Sequence, residues 1–420
     1  MDREISRRCA LATLGVASTT VAGCLETLPD EFSESKAKES DGGGNHRTWP
    51  AIEAGEVISD FEDLEQWREH TGRIEPAPDE VRAGSQAAVI ESDEGTAGAG
   101  LSFSDGLDLE AWNVSLAVKP ESASRIVVEF LAPSRDERLT TVRSVPNDHD
   151  GWFRLDCGYE QKPEGEPDLS NVTRVNVVAA GPEDGPTRLL VDDLRRTEAV
   201  DNGKAILAFY DGHRSHFDVA AKLLDERGWP GAVPVDPRRV GGGGRMDFDE
   251  LRQLQDRGWD VCSYPRADAD LAEQPEDRQR TVVESIRDSL ADQGFSDGSR
   301  HFFAPEWRQM TPTTLSIIRE HHESGFLFGS CPTGAPPTGI HTTPVIWGPA
   351  LQSGVRRHIN LCDQYRKLTV IRIPPIVEGE DAGESSMSLD DFKHLLDHIE
   401  NRGLDVITPS DLIDGTIDGN

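Results

Sequence analysis

The spacing of apolar positions changes character near residue 200. From Lys204 onward, short apolar runs alternate with longer segments in which apolar residues recur every three to four positions. That is the signature of a buried strand followed by an amphipathic helix. The strand-like runs are Lys204–Tyr210, Gly231–Val235, Trp259–Ser263, His301–Ala304, Phe326–Gly329, Thr343–Trp347, Leu368–Ile373 and Leu404–Ile407. The helical period predicts helices over Ser215–Gly228, Asp247–Arg257, Glu276–Gln293, Thr313–His322 and Leu389–Asn401, and a short one at Ser410–Ile413. Ser215 suits the N-cap of the first, with Phe217, Ala221 and Leu224 on one face. Strands that each lead into a helix form βαβ units and a parallel sheet. Seven or eight of them favour closure into a (β/α) barrel over an open sheet.

Residues 50–198 carry a different pattern. Short alternating runs at Glu56–Phe61, Ala87–Ile90, Ser115–Val118, Arg125–Phe130, Trp152–Leu155, Arg174–Val178 and Arg188–Val191 are separated by polar turns, with no long helical period. Such spacing predicts an antiparallel β-sandwich, and Glu198–Asn202 marks its boundary with the α/β region. Asp60-Phe61-Glu62-Asp63 with Trp67, Val172-Thr173-Arg174-Val175 and Leu190-Val191-Asp192-Asp193-Leu194 resemble the jelly-roll sandwiches of carbohydrate-binding modules. Trp112 and Trp152 are then either sugar-stacking platforms or core residues.

The first residues stand apart from both regions. Ser6-Arg7-Arg8 followed by the apolar run Ala10–Gly23 resembles a twin-arginine export signal, and Val21-Ala22-Gly23-Cys24 resembles a lipobox. The resemblance implies lipidation of Cys24 and anchoring to the outer face of the cell membrane. The apolar run is shorter than the roughly 20 residues of a spanning helix. Residues 25–49 are polar and aperiodic, as expected of a disordered tether.

Charge narrows the partners. The chain has 76 acidic and 43 basic residues, for a net charge of -33, and eight of the basic residues are lysines. Acid excess with arginine over lysine resembles proteins of salt-loving archaea, whose surface carboxylates repel one another until salt screens them. There is no basic stripe, so nucleic acid is excluded as a partner. Cationic polymers such as deacetylated amino-sugar chains stay open. Of the six cysteines, Cys157, Cys262, Cys331 and Cys362 lie in the folded body at spacings that match no zinc motif. Export makes a Cys331–Cys362 disulfide the expected pairing, and Cys262 reads as a buried thiol.

Candidate chemistry begins at Asp211, which follows the first barrel strand and precedes Gly212. It is either a turn residue or a carboxylate at the strand end, where such barrels place their chemistry. FYDGHRSHF, FDELRQLQDRGWDVCSYPRADADL, RHFFAPEWRQM and FKHLLDHIENRGLDVITPSDLI, in this order and spacing, resemble the polysaccharide deacetylase (NodB-homology) family across residues 203–415. The resemblance implies removal of acetyl groups from glycans by one divalent metal, an aspartate base, an aspartate and two histidines as ligands, and a histidine acid.

Residue by residue, most of that machinery is replaced. The family's Phe-Asp-Asp-Gly reads Phe209-Tyr210-Asp211-Gly212, which keeps the metal-binding aspartate and puts a phenol in place of the base. Its Ser-His-Thr-x-x-His reads Ser263-Tyr264-Pro265-Arg266-Ala267-Asp268, without either histidine. The third motif, Phe303-Ala304-Pro305-Glu306-Trp307, lacks the tyrosine–glycine corner, and Leu368–Pro375 supplies no final histidine. The family-typical zinc site is not preserved. Asp211 and Asp268 are candidate ligands for a harder divalent cation, Asp211 is the candidate catalytic residue, and Tyr210, Tyr264 and Trp307 are candidate glycan contacts. His213 and His216 read as surface histidines or substitute ligands, and His321, His322, His394 and His398 as solvated helix faces. Gly241–Gly244 lacks the lysine of a phosphate loop and reads as a flexible loop. Three functions follow: an impaired glycan-binding relative, a deacetylase with a rearranged site, or a structural surface lipoprotein.

Overall fold

The computed structural model describes residues 55–415 apart from 147–148, 161–164, 267–269, 306–309, 328, 330, 380–382 and 384. The expected signal, tether, Cys24, Asp268 and Trp307 lie outside the described residues. Eleven strands make two antiparallel sheets. They are β1 (Glu56–Ser59), β2 (Trp67–Thr71), β3 (Arg73–Ala77), β4 (Ala87–Ser92), β5 (Thr96–Leu107), β6 (Trp112–Lys119), β7 (Arg125–Leu131), β8 (Arg138–Ser144), β9 (Phe153–Asp156), β10 (Val172–Ala180) and β11 (Thr187–Glu198). One sheet runs β3-β4-β11-β6-β9 with β1 on β11, and the other runs β2-β5-β10-β7-β8. Alternation explains the packing: Ile126, Val128 and Phe130 of β7 and Val175, Val177 and Ala179 of β10 are fully buried between the sheets. The glycine-, alanine- and serine-rich β5 and the charged β2 and β3 hide that period, and the sequence reading has no strand at these places.

The second half closes into a barrel. Seven parallel strands, β12 (Lys204–Phe209), β13 (Ala232–Val235), β14 (Asp260–Ser263), β15 (His301–Phe303), β16 (Ser324–Leu327), β17 (Thr343–Trp347) and β18 (Leu368–Ile373), are each paired with the next, and β13 pairs back to β12. Every residue of β12 is buried, as in strands covered on both faces. Closure is uneven. β12 pairs with β18 along its whole length but with β13 only at Ala208–Ala232. After the small pair β19 (Ile376–Val377) and β20 (Met387–Ser388), the last strand, β21 (Asp405–Val406), takes the remaining edge at Lys204 and Ala205. The fold is therefore a β-sandwich followed by a distorted parallel (β/α) barrel, as expected.

Helices α1 (Ala221–Asp225), α2 (Phe248–Gln255), α3 (Glu276–Asp292), α4 (Ser296–Ser299), α5 (Pro312–His321), α6 (Arg356–Tyr365), α7 (Leu389–Arg402) and α8 (Pro409–Asp414) lie among these strands. Asp247 and Glu250 close a capping box on α2, and Thr408 and Asp411 close one on α8. The first helix departs from expectation: it opens with a wide turn over His216–Ala220, and Ser215 does not cap it. The Ser215 hydroxyl instead accepts the Ile376 amide at 3.0 Å. Helix α6 has no counterpart in the sequence reading, because His358, Cys362 and Tyr365 supply much of its buried face beside Ile359 and Leu361.

Sandwich and barrel meet along a polar seam. The Asp156 carboxylate accepts the Thr338 amide and hydroxyl, both at 2.7 Å, and the Gly339 amide at 2.6 Å. Lys367 donates to Asn113 Oδ1 at 2.7 Å, and burial lowers its pKa to about 8. A Cβ at Gly158 would lie 1.8 Å from the Pro332 carbonyl, so glycine permits this approach. Cys331 and Cys362 are free buried thiols, not a disulfide; Cys331 donates to the Val142 carbonyl at 3.1 Å. Cys157 and Cys262 are also buried and free.

Candidate functional site at the barrel mouth

Asp211 sits at the carboxyl end of β12 in a left-handed conformation, with φ of 67°. Aspartate tolerates this region better than most residues, and its appearance here marks a strained strand end of the kind found at functional sites. Gly212 follows at φ 57°, where a Cβ would press within 2.8 Å of Val235. The carboxylate is 5% exposed and is surrounded by guanidinium groups. Arg245 reaches Oδ2 at 2.5 Å, Arg266 reaches the same oxygen at 2.8 Å, and Arg239 stands 3.5 Å from Oδ1. His213 Nε2 lies 3.7 Å from Oδ2.

Each arginine is delivered by a loop at a strand end. Arg239 closes a single turn after β13, capped by Asp236, whose side chain also pairs with Arg238 at 2.5 Å and accepts the Arg266 amide at 3.2 Å. Arg266 follows β14 within the very segment where the family resemblance expects histidine ligands. Arg245 is presented by the glycine run, and here glycine is required. Gly241, Gly243 and Gly244 have φ of 78°, 57° and 76°. The tight path lets Gly241 donate to Met246 O, lets Arg214 donate to Gly244 O and brings His213 alongside Arg245. The run is thus a shaped turn that carries a cation to Asp211.

Burial alone would raise the Asp211 pKa. The hydrogen bond from Arg245 and the charges of Arg245, Arg239 and Arg266 outweigh it and hold the carboxyl below its usual range. Burial lowers the His213 pKa, with Asp211 opposing and the arginines assisting. His216 is fully buried, not a surface residue. Its Nε2 is 3.0 Å from the Pro374 carbonyl, and burial depresses its pKa to about 3. His322 is likewise buried, with its pKa pushed down to about 3 by burial. Tyr210 is buried and its phenol raised far above the range of a general base, with burial the main cause and Arg372 opposing. It packs edge-on to Tyr264 at 5.2 Å and to Phe303 at 5.6 Å. Tyr264 is buried as well, so both candidate sugar contacts belong to the wall beneath the mouth.

A divalent metal requires several anionic or neutral donors converging on one point. Among the described residues no three His, Cys, Asp or Glu side chains do so, and the partners of Asp211 are cations. The described donor set does not fit a metal at this carboxylate.

Beside the clamp, a cavity of about 120 Å³ opens between the ends of β12 and β15–β18, lined by Tyr210, Ala304, Phe326, Val345, Trp347 and Arg372 among others. Trp347 and Arg372 are partners across β17 and β18. The Arg372 guanidinium lies 4.2 Å from the Tyr210 ring centre and 5.5 Å from that of Trp347. Trp347 is 38% exposed and is the most exposed tryptophan, tyrosine or phenylalanine among the described residues. Trp112 instead packs under Arg196, and Trp152 against Ala77, Ala87, Val89 and Leu190. The sequence reading passed over Trp347, Arg372 and the three clamp arginines. Two signals for them were present: a glycine run ending in arginine, and tryptophan and arginine at the ends of two successive barrel strands.

No family model matches the chain, and no curated protein does. Among solved structures it is similar to the Xyl-CE4 domain of a multidomain xylanase from the hindgut metagenome of Trinervitermes trinervoides, at 12% identity over 51% of this chain and 92% of that one, with a TM-score of 0.37. It is also similar to the Streptococcus pyogenes deacetylase PplD in complex with acetate, at 17% identity over 45% and 69%, with a TM-score of 0.32. A third similarity is to the family 11 carbohydrate-binding module from Clostridium thermocellum, at 17% identity over 34% and 94%, with a TM-score of 0.28. At these scores the fold rests on the strand order and register of the protein itself.

Proposed function

We propose that the protein is a cell-surface glycan-binding relative of the polysaccharide deacetylases with impaired catalysis. In this reading it is anchored to the outer face of the membrane through a lipid on Cys24. The observation that carries the reading is the state of Asp211. Where the resemblance expects a metal to bind, its carboxylate is held by Arg245, Arg266 and Arg239 at 2.5, 2.8 and 3.5 Å. Fixed guanidinium charge takes the place of a dissociable ion, and it can neither coordinate a water as a Lewis acid nor accept a proton from one. The position of the base holds a buried phenol, and the remaining family groups are substituted in sequence. Each such loss costs about 10²–10⁴ in rate. What remains at the mouth is a surface that suits sugar: an exposed indole beside a charged donor.

One observation favours the rearranged deacetylase as a second reading. Among the described residues Asp211 Oδ1 accepts no hydrogen bond, and His213 lies beside the other oxygen. Acetate release from acetylated xylan or chitin oligomers, together with elemental analysis of protein purified in molar salt, decides between them. The impaired reading expects no acetate and no stoichiometric metal. Release that Asp211→Ala abolishes would overturn it. Anchoring has its own test: Cys24→Ala should move the protein from membranes to the medium, and unchanged retention would rule out the lipid.

A further inference from the structure

We propose that the barrel mouth takes an acidic polysaccharide, with the apolar face of one sugar ring on Trp347 and the carboxylate or sulfate of that sugar on the Arg372 guanidinium. The proposal rests on the glycan-binding reading above and names the class of glycan.

Charge is the first argument. The chain as a whole has 76 acidic against 43 basic residues, yet residues 236–246, which run from the end of β13 through the glycine turn, carry Arg238, Arg239 and Arg245 against the single acid Asp236. Arg238, Arg239, Arg245 and Arg266 gather there around two carboxylates, Asp211 and Asp236. Among the described residues these four arginines outnumber the two carboxylates they are paired with. A polyanion repelled by most of this surface is admitted where the sign is inverted.

Arg372 is the second. Among the described residues no carboxylate pairs with it, although most arginines of this acid-rich protein are paired. It lines the cavity between two aromatic rings, and this stacking holds its planar fork before any ligand arrives. Such a fork suits the two oxygens of a carboxylate or a sulfate. Trp347 supplies the third argument. It is the cross-strand neighbour of Arg372 and is exposed at the same opening, so one sugar residue can lie on the indole and turn its acid group to the guanidinium. A neutral sugar would use the indole alone.

The test is calorimetric titration of the full chain in molar KCl with three probes: a galacturonate oligomer, a sulfated galactan oligomer and a neutral acetylated xylan oligomer. At least one anionic probe is expected to bind about tenfold or more tighter than the neutral one. Arg372→Gln should bring it down to the neutral level without changing neutral binding, and Arg372→Lys should restore part of the difference. Trp347→Ala, at an exposed position, should weaken all bound probes while leaving the melting curve in place. Equal affinity for neutral and anionic probes, or an Arg372→Gln variant that binds the anionic probe like wild type, would overturn the acidic-glycan proposal while leaving glycan binding intact. Binding of none of the three would overturn both.

Discussion

Two buried aspartates, one at the seam and one at the mouth, meet the same problem with opposite means. Asp156 is 4% exposed and Asp211 5%. Asp156 accepts from an amide, a hydroxyl and a second amide, all neutral. Burial pushes its carboxyl up, and those hydrogen bonds only partly offset the shift. Asp211 is surrounded by three guanidinium groups, and their effect exceeds that of burial and draws its carboxyl down. Neutral donors fix one geometry between two domains and bring no positive charge with them. Excess cation around a carboxylate leaves a field that reaches a ligand. The seam is built to stay shut and the mouth to attract.

The largest expected effect comes from acid, and it falls on the barrel that carries the mouth. Burial lowers the pKa of His216 and His322 from 6.5 to about 3, that of His341 to about 4 and that of His301 well below 6.5. Between pH 6.5 and these values the unfolded chain binds protons that the folded chain refuses, so stability falls as pH drops through that window. At about 1.4 kcal/mol per unit, the shifts together rival the roughly 5–15 kcal/mol that holds a domain folded. Asp211 adds to the acid loss at lower pH, because its depressed carboxyl must protonate, whereas Asp156, with its raised pKa, opposes it. Circular dichroism at fixed molar salt from pH 7 to 4 checks this. A flat profile would show that the histidines are not the acid trigger.

Next in size is Asp156→Ala. It strips partners from two buried main-chain amides and a hydroxyl, and is expected to cost about 3 kcal/mol or more in urea unfolding. Asp156→Asn keeps one acceptor oxygen and should cost less. A loss below about 1 kcal/mol would mean that water replaces the carboxylate and that the seam is looser than its hydrogen bonds imply.

The comparison also explains what could be read in advance. The parallel barrel was legible because β12, β13 and β18 are short, mostly apolar runs and recognisable helical periods follow β12, β13 and β14. Half of the sandwich was legible through β7, whose burial alternates cleanly, and through β10, where Val175, Val177 and Ala179 recur at every second position. Strand β5 was not, since small residues pack without advertising a face. At the mouth, the loss of family histidines was plain in sequence. Their replacement by arginines was not, because Arg239 and Arg245 come from the connection after β13 and Arg266 from that after β14, and they meet only in three dimensions. His216 and His322 look like surface residues in one dimension, since polarity gives no sign that the ring is covered.

Asp211→Asn ranks below the seam variant. It removes the anion from three cations, but Arg239 and Arg266 are 32% and 50% exposed and regain water readily. A cost of about 1–2 kcal/mol is expected, smaller than that of breaking a fully buried pair. If it instead equals Asp156→Ala, the clamp is a structural pin and the contrast between the two regions fails.

The smallest effect sharpens the contrast most. The clamp is redundant by construction: Arg245 and Arg266 share Oδ2, and Arg245 is far less exposed, at 14% against 50%. Arg266→Gln should therefore cost no more than about 1 kcal/mol, as for a surface ion pair, because Asp211 keeps its shorter bond to Arg245. Arg245→Gln should cost more, since it removes the hydrogen bond that does most to hold the carboxyl ionised. The same order should appear in the acid titration of Asp211 followed by carboxyl carbon shifts: a small upward move of its pKa for Arg266→Gln and a larger one for Arg245→Gln. The seam differs in the kind of donor: Asp156 Oδ1 is shared by the amide and hydroxyl of Thr338 and Oδ2 takes the Gly339 amide, all of them neutral. Equal costs for the two arginine variants would mean that the mouth, like the seam, depends on every contact, and that its positive charge is there for the fold and not for a ligand.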